Sequence, residues 1–344
     1  MDKKIAVLGT GANGSCTAAD LINAGHDIVL IDQWPAHIEA MRANGLTINM
    51  PDRSLHVKVD AHHLCDVCTL NQTFDIVFLA TKAYDARWAS EFIKPYLAPD
   101  GLLVGLQNGM TADTTAEVVG VSRALGCVVE LSSELFTPGV VRRNTPPERT
   151  WFGLGSLDES TTGRLAEIEA LLRHVGKVSI TPDVRSAKWM KLVVNTMCLA
   201  PFAIVGLSMA EAVKLPGMRE MFLRIGGEAL DIGQEIGYTI EPIFGLTPED
   251  MRSTNRPLEK MFDKLASDIS GRSPRNCVLQ DMHKGRYSEV DMINGLVVEE
   301  SARRGRAAPA NAMIVEMARR IQTGELAPDP SNMDIALKML AESK

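Results

Sequence analysis

The sequence predicts an α/β domain built on a mostly parallel sheet, followed by an all-α domain. Short apolar segments alternate with helical patterns through the first half of the chain, and this alternation is typical of a parallel sheet with crossover helices. After Pro182 the strand-like segments stop and long helical patterns follow. The length of 344 residues also suits two compact domains better than one.

The elements of the first half follow from its apolar runs and from the glycines and prolines between them. Residues 4–8 form an apolar run that ends at Gly9 and suits a buried strand. The next predicted elements are a helix over 12–24, a strand over 27–32, a helix over 35–44, short strands within 46–60, a strand over 75–81, a helix over 84–97 closed by Pro99-Asp100-Gly101, and a strand over 102–108. The last are β-like segments within 124–155, a helix over 159–174 and a strand over 178–184.

The second half is predicted to be helical from residue 185 to about residue 322. It opens with the sequence SAKWMKLVVNTMCLAPFAIVG, and a helix that is mostly apolar implies burial on several sides. We therefore predict an α/β domain over residues 1–184 and a helical domain over residues 185–344.

Composition excludes several classes of protein. A net charge of −7 argues against nucleic-acid binding, which requires a basic face, and against attraction to an anionic membrane. No apolar run reaches the roughly 18–20 residues that span a bilayer. The start, MDKKIAVLGTG, is interpreted as a first strand and not as a signal peptide, so we expect a cytoplasmic protein with reduced thiols.

Cysteine and histidine residues crowd together at His62, His63, Cys65 and Cys68. On composition alone they form a candidate zinc site, but their spacing differs from the usual two-pair arrangement. The six cysteines of the chain are scattered and suggest no disulfide framework. We predict an ordinary loop and edge strand here, and no metal.

A glycine loop follows the first strand. Gly9-Thr10-Gly11-Ala12-Asn13-Gly14 matches G-x-G-x-x-G, in which the first glycine permits the turn, the second admits a pyrophosphate and the third allows helix and sheet to pack. Amides at the helix start bind the phosphates. The position between a strand and a helix predicts a dinucleotide-binding Rossmann domain, the alternative being a glycine turn of purely structural use.

Asp32 ends the second predicted strand and bears on the choice of dinucleotide. A carboxylate at this position accepts hydrogen bonds from the ribose hydroxyls of NAD and repels the 2′-phosphate of NADP. The residues after it are Gln33, Trp34 and Pro35, with no arginine among them. The sequence favours NAD over NADP. The alternative role of Asp32 is to cap the following helix.

Reduction of a ketone by hydride requires a proton donor beside the oxygen that becomes negative. Lys191 and Asn195 are four residues apart on the apolar helix, so both side chains point to the same face. Glu289 lies in the segment RYSEVDMING, in which Ser288 or a neighbouring residue is predicted to start a helix. Without further context, a lysine such as Lys191 is more often a surface residue, and Glu289 is more often an acid at a helix N-terminus, where the helix dipole stabilises it.

Five motifs, taken together, resemble those of the ketopantoate reductase (2-dehydropantoate 2-reductase) family. They are GTGANG at 9–14, DIVFLATKAY at 75–84, LQNG at 106–109, WMKLVVN at 189–195 and LQDMHKGRYSEVDMING at 279–295. Their order and spacing match the family over nearly the whole chain.

The resemblance implies roles for individual residues. Lys191 corresponds to the catalytic lysine that protonates the forming alkoxide, and Glu289 to the glutamate that holds this lysine or the substrate hydroxyl. Asn108 is implied to contact the nicotinamide ribose and the substrate, Lys82 to lie beside the cofactor, and Asn195 to bind substrate. A homodimer is also implied.

Two substrate-binding positions depart from the family pattern. The family has a second asparagine where this chain has Leu199, and a serine that holds the substrate carboxylate where it has Cys277. Leucine makes no hydrogen bond and a thiol makes a weak one, so the substrate is expected to differ from ketopantoate.

The sequence therefore predicts an NAD(P)H-dependent reductase of a small 2-oxo acid, with the substrate bound in the cleft between the two domains. Two alternatives remain. One is a 3-hydroxy acid dehydrogenase, although those enzymes usually carry K-x-x-N where this chain has K-x-x-x-N at 191–195. The other is a sensor that binds NAD without catalysis, since fold alone does not exclude it.

Overall fold

The computed structural model of the chain describes residues 3–241, 257–269 and 275–342. The chain divides into two compact units, Met1–Arg185 and Ser186–Lys344. Within these described ranges no helix is long and apolar enough to cross a membrane.

The first unit alternates strands and helices. Its strands are β1 (Ile5–Leu8), β2 (Ile28–Asp32), β3 (Leu46–Asn49), β4 (Ser54–Val57), β5 (Asp60–His63), β6 (Phe74–Leu79), β7 (Leu97–Gly105), β8 (Ala124–Glu130), β9 (Ser133–Thr137), β10 (Val140–Arg143), β11 (Trp151–Ser156) and β12 (Lys177–Ile180). Its helices are α1 (Ala12–Asn23), α2 (Pro35–Asn44), α3 (Ala86–Ile93), α4 (Thr111–Val119) and α5 (Leu165–Leu172).

The main sheet has eight strands in the order β12-β11-β8-β7-β6-β1-β2-β5. Every neighbouring pair is parallel except β8 with β11. Side chains of β1 alternate between two apolar clusters, with Ile5 and Val7 in one and Ala6 and Leu8 in the other. Both faces of the sheet are therefore buried, as helices on both sides of a parallel sheet require. The predicted α/β class is confirmed.

A second sheet, in the order β4-β3-β10-β9, is fixed to α1 by a buried ion pair. Arg143 of β10 is fully buried and pairs with Asp20 of α1. Its guanidinium also donates to the carbonyls of Thr145 and Val175, at 2.8 and 2.9 Å, and to Thr150 Oγ1 at 2.9 Å. Because its donors have these partners, the charge is tolerated in the interior and anchors α1.

The described residues of the second unit form helices joined by loops, without a strand among them. Its helices are α6 (Val184–Cys198), which begins at the end of the first unit, α7 (Ala200–Ile204), α8 (Met209–Ala212), α9 (Met218–Ile236), α10 (Pro257–Ile269), α11 (Cys277–His283), a π-helix (Asp291–Gly295), α12 (Leu296–Arg303), α13 (Pro309–Gln322) and α14 (Asn332–Glu342). This confirms the predicted all-α second half, apart from residues 242–256 and 270–274, which lie outside the described ranges.

The structure corrects the sequence prediction at two places. The helix predicted over 84–97 ends as α3 at Ile93, and β7 already begins at Leu97, because Pro95 lacks the amide that would continue the helix. The strand predicted over 178–184 ends at Ile180. Pro182 cannot donate to the sheet, and the chain turns there to start α6 at Val184.

Candidate active site

The glycine loop lies between β1 and α1, and its first and third glycines are required by the backbone itself. Gly9 has φ +92°, and its amide donates to Ile31 O at 2.8 Å. A Cβ on Gly9 would lie 2.6 Å from Thr81 N. A Cβ on Gly14 would lie 2.0 Å from Gly9 O, so only glycine lets α1 start this close to the loop.

Gly11 has a different environment. It is the N-cap residue of the twelve-residue helix α1, and a Cβ placed on it would have no heavy atom within 4 Å. This open space lies at the end of the helix where the amides carry partial positive charge. The local geometry fits a pyrophosphate, with the loop amides and those of Ala12 and Asn13 as the groups that would hold it.

Asp32 is the last residue of β2 and is 8% exposed. Its Oδ2 accepts from Thr10 Oγ1 at 3.2 Å, and its Oδ1 accepts from the Trp34 amide at 2.8 Å. Trp34 is the N-cap residue of α2, which has no side-chain cap. Asp32 therefore orients the residue before the helix rather than capping it, and each carboxylate oxygen keeps capacity for a further hydrogen bond.

Lys82 and Asn108 follow β6 and β7, two neighbouring parallel strands. The Gln107 amide links the two loops, because its Nε2 donates to Thr81 Oγ1 at 2.9 Å and to Lys82 O at 3.3 Å. β6 is also the neighbour of β1. The glycine loop, Asp32, Lys82 and Asn108 thus lie at the same edge of the sheet, the carboxyl ends of adjacent strands, where open α/β sheets bind ligands.

In the second unit, α6 carries Lys191 and Asn195 one turn apart. Asn195 is 3% exposed and Lys191 is half-buried. Burial raises the pKa of the Cys198 thiol to about 11, although the Lys191 ammonium acts in the opposite direction.

α6 also contains a buried lysine, Lys188, that was not predicted from the sequence. Lys188, one turn before Lys191, is 4% exposed and so is more buried than the predicted catalytic lysine. Fully buried lysines are rare unless they are paired. An apolar helix with two lysines one turn apart is the signal that could have identified it.

The two positions that depart from the family pattern, Leu199 and Cys277, are brought together by one side chain. Asn276 precedes α11 and caps it, its Oδ1 accepting from the Leu279 amide at 3.0 Å. Its Nδ2 donates to Leu199 O at 2.9 Å and to Cys198 O at 3.4 Å. The end of α6 and the start of α11 are thus fixed to each other. Leu199 and Cys277 are both partly exposed.

Glu289 is 4% exposed and directly precedes Val290, where helical backbone begins and leads into the π-helix. A π-helix is rare and often marks a functional position. Within it, Asn294 Nδ2 donates to Thr196 O at 3.2 Å and to Asn311 Oδ1 at 2.9 Å. The element that carries Glu289 is therefore tied to α6 beside Asn195.

The polar network continues beyond Asn294 and was not predicted. Asn311 Nδ2 donates to Glu228 Oε2 at 2.8 Å and to Ile225 O at 3.0 Å. The Glu228 carboxylate also accepts the amides of Ala310 and Asn311 at 2.8 and 2.9 Å, at the start of α13. Four segments, α6, α9, the π-helix and α13, are joined in this way. No local sequence signal identifies such a network because its members are distant in the chain.

The fold and its glycine loop define a Rossmann-type dinucleotide-binding domain joined to a helical domain, and the family that the chain matches consists of oxidoreductases that act on CH–OH groups with a nicotinamide cofactor. Sequence comparison defines the group more closely: the chain belongs to the ketopantoate reductase family. Residues 5–156 match "Ketopantoate reductase PanE/ApbA", and residues 183–322 match "Ketopantoate reductase PanE/ApbA C terminal".

Curated relatives are similar over almost their whole length. A 2-dehydropantoate 2-reductase from Archaeoglobus fulgidus is 24% identical over 329 residues, which cover 94% of this chain and 99% of the relative. One from Mesorhizobium japonicum is 26% identical over 340 residues, covering 92% and 97%.

Solved structures agree on the fold. A PanE/ApbA family ketopantoate reductase from Ralstonia eutropha JMP134 superimposes with a TM-score of 0.78 at 27% identity, covering 93% of this chain and 99% of that one. D-mandelate dehydrogenase, solved with NADH and anilino(oxo)acetate, gives a TM-score of 0.82 at 20% identity, covering 93% and 98%. At that identity the second likeness concerns the fold alone.

Proposed function

We propose that this protein reduces a 2-oxo acid to the corresponding 2-hydroxy acid with NADH. The observation that carries the proposal is the arrangement in the second unit, where Lys191 and Asn195 share a face of α6 and the segment bearing buried Glu289 is tied to that helix through Asn294. Reduction of a carbonyl requires a proton donor beside the oxygen that becomes negative, and Lys191 is the group proposed for that role.

In this proposal a bound nicotinamide cofactor would supply the hydride for the reduction. Lys191 holds a proton near the carbonyl oxygen and delivers it as the oxygen becomes negative. Asn195 donates to the substrate, and Glu289 keeps Lys191 in place. Asn108 and Lys82, beside the glycine loop, orient the cofactor and the substrate carbonyl.

We propose NADH rather than NADPH because of Asp32. The carboxylate is buried at the end of β2, with its oxygens already oriented by Thr10 and Trp34. A 2′-phosphate beside it would meet negative charge in a site of low exposure, whereas ribose hydroxyls would find an acceptor. The residue after Asp32 is exposed Gln33 and not an arginine, which would accommodate the 2′-phosphate of NADP.

The substrate proposed is a 2-oxo acid with an apolar side chain. Leu199 offers an apolar contact and Cys277 only a weak donor, and Asn276 holds the two segments together. Ketopantoate carries a hydroxyl group that would lose a polar partner at Leu199.

A substrate panel tests the proposal. We expect phenylglyoxylate or 2-oxoisovalerate to be reduced faster than ketopantoate, and NADH to be preferred to NADPH in kcat/KM, measured from the absorbance of the reduced cofactor. Each missing polar contact corresponds to about 1–3 kcal/mol, or roughly 5- to 150-fold in kcat/KM. The variant Leu199→Asn should shift the preference towards ketopantoate, whereas Cys277→Ser, at the position implied to hold the carboxylate that all 2-oxo acids share, should leave the preference unchanged.

Two results of the panel would contradict the proposal. Turnover of 3-hydroxy acids with NAD, without turnover of any 2-oxo acid, would indicate a 3-hydroxy acid dehydrogenase. Tight NADH binding in a calorimeter with no turnover of either class would indicate a sensor.

A further inference from the structure

Two cysteines outside the candidate active site are paired by the backbone of a short helix. Cys65 and Cys68 lie on the 3₁₀ helix Leu64–Thr69, which follows the edge strand β5 in the first unit. Both are exposed. The reductase reaction proposed above uses neither of them.

The 3₁₀ geometry brings the two side chains to one face. With three residues per turn, residues i and i+3 are eclipsed, and a rise of about 2.0 Å per residue separates their Cα atoms by roughly 6 Å. Disulfides usually join Cα atoms about 4.4–6.8 Å apart. Cys68 Sγ donates to Cys65 O at 3.3 Å, so its side chain turns back towards the residue it would bond.

The surrounding groups fix the helix, and the two thiols make only weak contacts, Cys65 Sγ with Asp66 Oδ1 at 3.7 Å and Cys68 Sγ with Cys65 O. His63 and Asp66 form a capping box at the helix start, and Asp66 Oδ2 also accepts from Arg42 of α2 at 2.6 Å. The two imidazoles that suggested a zinc site contact carboxylates instead, His62 to Asp60 and His63 to Glu39, both at 2.6 Å. Among the residues that the structure describes, no group of three or more potential ligands could hold a metal ion.

The other four cysteines of the chain differ in their exposure to solvent. Cys16, Cys127 and Cys198 are buried, and Cys277 is partly exposed. Burial raises the pKa of Cys16 to about 12 and that of Cys198 to about 11, so at neutral pH these thiols stay protonated and unreactive. Cys65 and Cys68 are therefore the exposed thiols, and Cys277 is the one that is partly exposed.

We propose that Cys65 and Cys68 form a redox-active dithiol that closes to an intrahelical disulfide by exchange with a low-molecular-weight disulfide. The thiolate of one cysteine attacks the small disulfide, forms a mixed disulfide and releases one small thiol. The second cysteine, as its thiolate, then attacks the mixed disulfide and releases the other small thiol. The protein loses two electrons and two protons, and the small disulfide gains them as two thiols.

The second step is fast because it is intramolecular, the attacking thiol being held one helical turn away at a high effective concentration. A mixed disulfide on the intact pair is therefore short-lived. On a protein with only one of the two cysteines it has no such route of decay and accumulates.

Oxidised glutathione and the full-length folded protein provide the test. After exposure, quenching by acid and alkylation of the remaining thiols, peptide mass spectrometry should show a Cys65–Cys68 disulfide, two hydrogens lighter, with little glutathione attached. Cys65→Ser and Cys68→Ser should each accumulate one glutathione adduct on the remaining cysteine. The control Cys277→Ser should form the same disulfide as the unmodified chain.

Two outcomes would overturn the proposal. One is a glutathione adduct on each of Cys65 and Cys68 in the unmodified chain, and the other is that both thiols stay reduced until the protein is denatured. Circular dichroism of both serine variants establishes that they are folded, and a reduced, folded variant that takes up no glutathione would also count against it. The test does not involve turnover, so it stands apart from the proposed reductase activity.

Discussion

At the scale of single residues, the two lysines of α6 differ in burial, and this difference decides which of them is assigned as the proton donor. Lys188 is almost fully buried, whereas Lys191 is half-buried and lies one turn before Asn195. Partial exposure leaves the Lys191 amine accessible to a substrate, and its spacing from Asn195 puts both on one face. We therefore assign proton donation to Lys191 rather than to its more buried neighbour.

Replacing Lys191 tests that assignment. Lys191→Met should lower kcat by about 10²- to 10⁴-fold, the usual contribution of general acid catalysis, because no other group delivers the proton. The Kd for NADH, measured by fluorescence titration, should stay nearly unchanged. Exposed Lys214 supplies the control Lys214→Met, which should keep full activity. A Lys191→Met protein with normal kcat would remove this lysine from the mechanism.

At the scale of elements, the strand–loop–helix unit was predictable because its requirements are local. Gly9 must adopt positive φ and Gly14 must let the loop approach α1, so the motif alone specified the turn. The helix before β7 was extended too far because its apolar pattern continues past Ile93, although Pro95 ends it. Elements are predicted correctly where a local steric requirement determines the backbone, as at the glycine turn. They are predicted incorrectly where one proline ends a helix although the apolar periodicity continues.

Two glycines of the loop give a matched pair of variants. In Gly14→Ala the new Cβ meets Gly9 O at 2.0 Å, so we expect a loss of unfolding free energy of about 1–3 kcal/mol or more, measured in urea. Gly11→Ala meets no atom within 4 Å and should cost under about 1 kcal/mol, yet weaken NADH binding because the methyl group enters the space assigned to the pyrophosphate. Equal NADH affinity in Gly11→Ala and the unmodified chain would contradict that assignment.

At the scale of the whole molecule, the sequence predicted the class of each half but not the contacts that organise the candidate site. The change from alternating strands to continuous helices is visible in periodicity, and the structure divides into compact units at residues 185 and 186. The tether from Asn294 to Thr196, and the bridge from Asn276 to Leu199, join residues far apart in the chain. Only tertiary structure reveals them, because neither asparagine belongs to a local pattern that demands such a partner.

Transfer of a deuterium label tests the central claim most directly. NADH deuterated at C4 of the nicotinamide, in the position that the enzyme uses, is incubated with the full chain and with the 2-oxo acid that the panel shows to react fastest. We predict a 2-hydroxy acid with deuterium on C2, detected by NMR, and almost none from Lys191→Met in the same time. A product without deuterium on C2, or no 2-hydroxy acid from any member of the panel, would contradict the account.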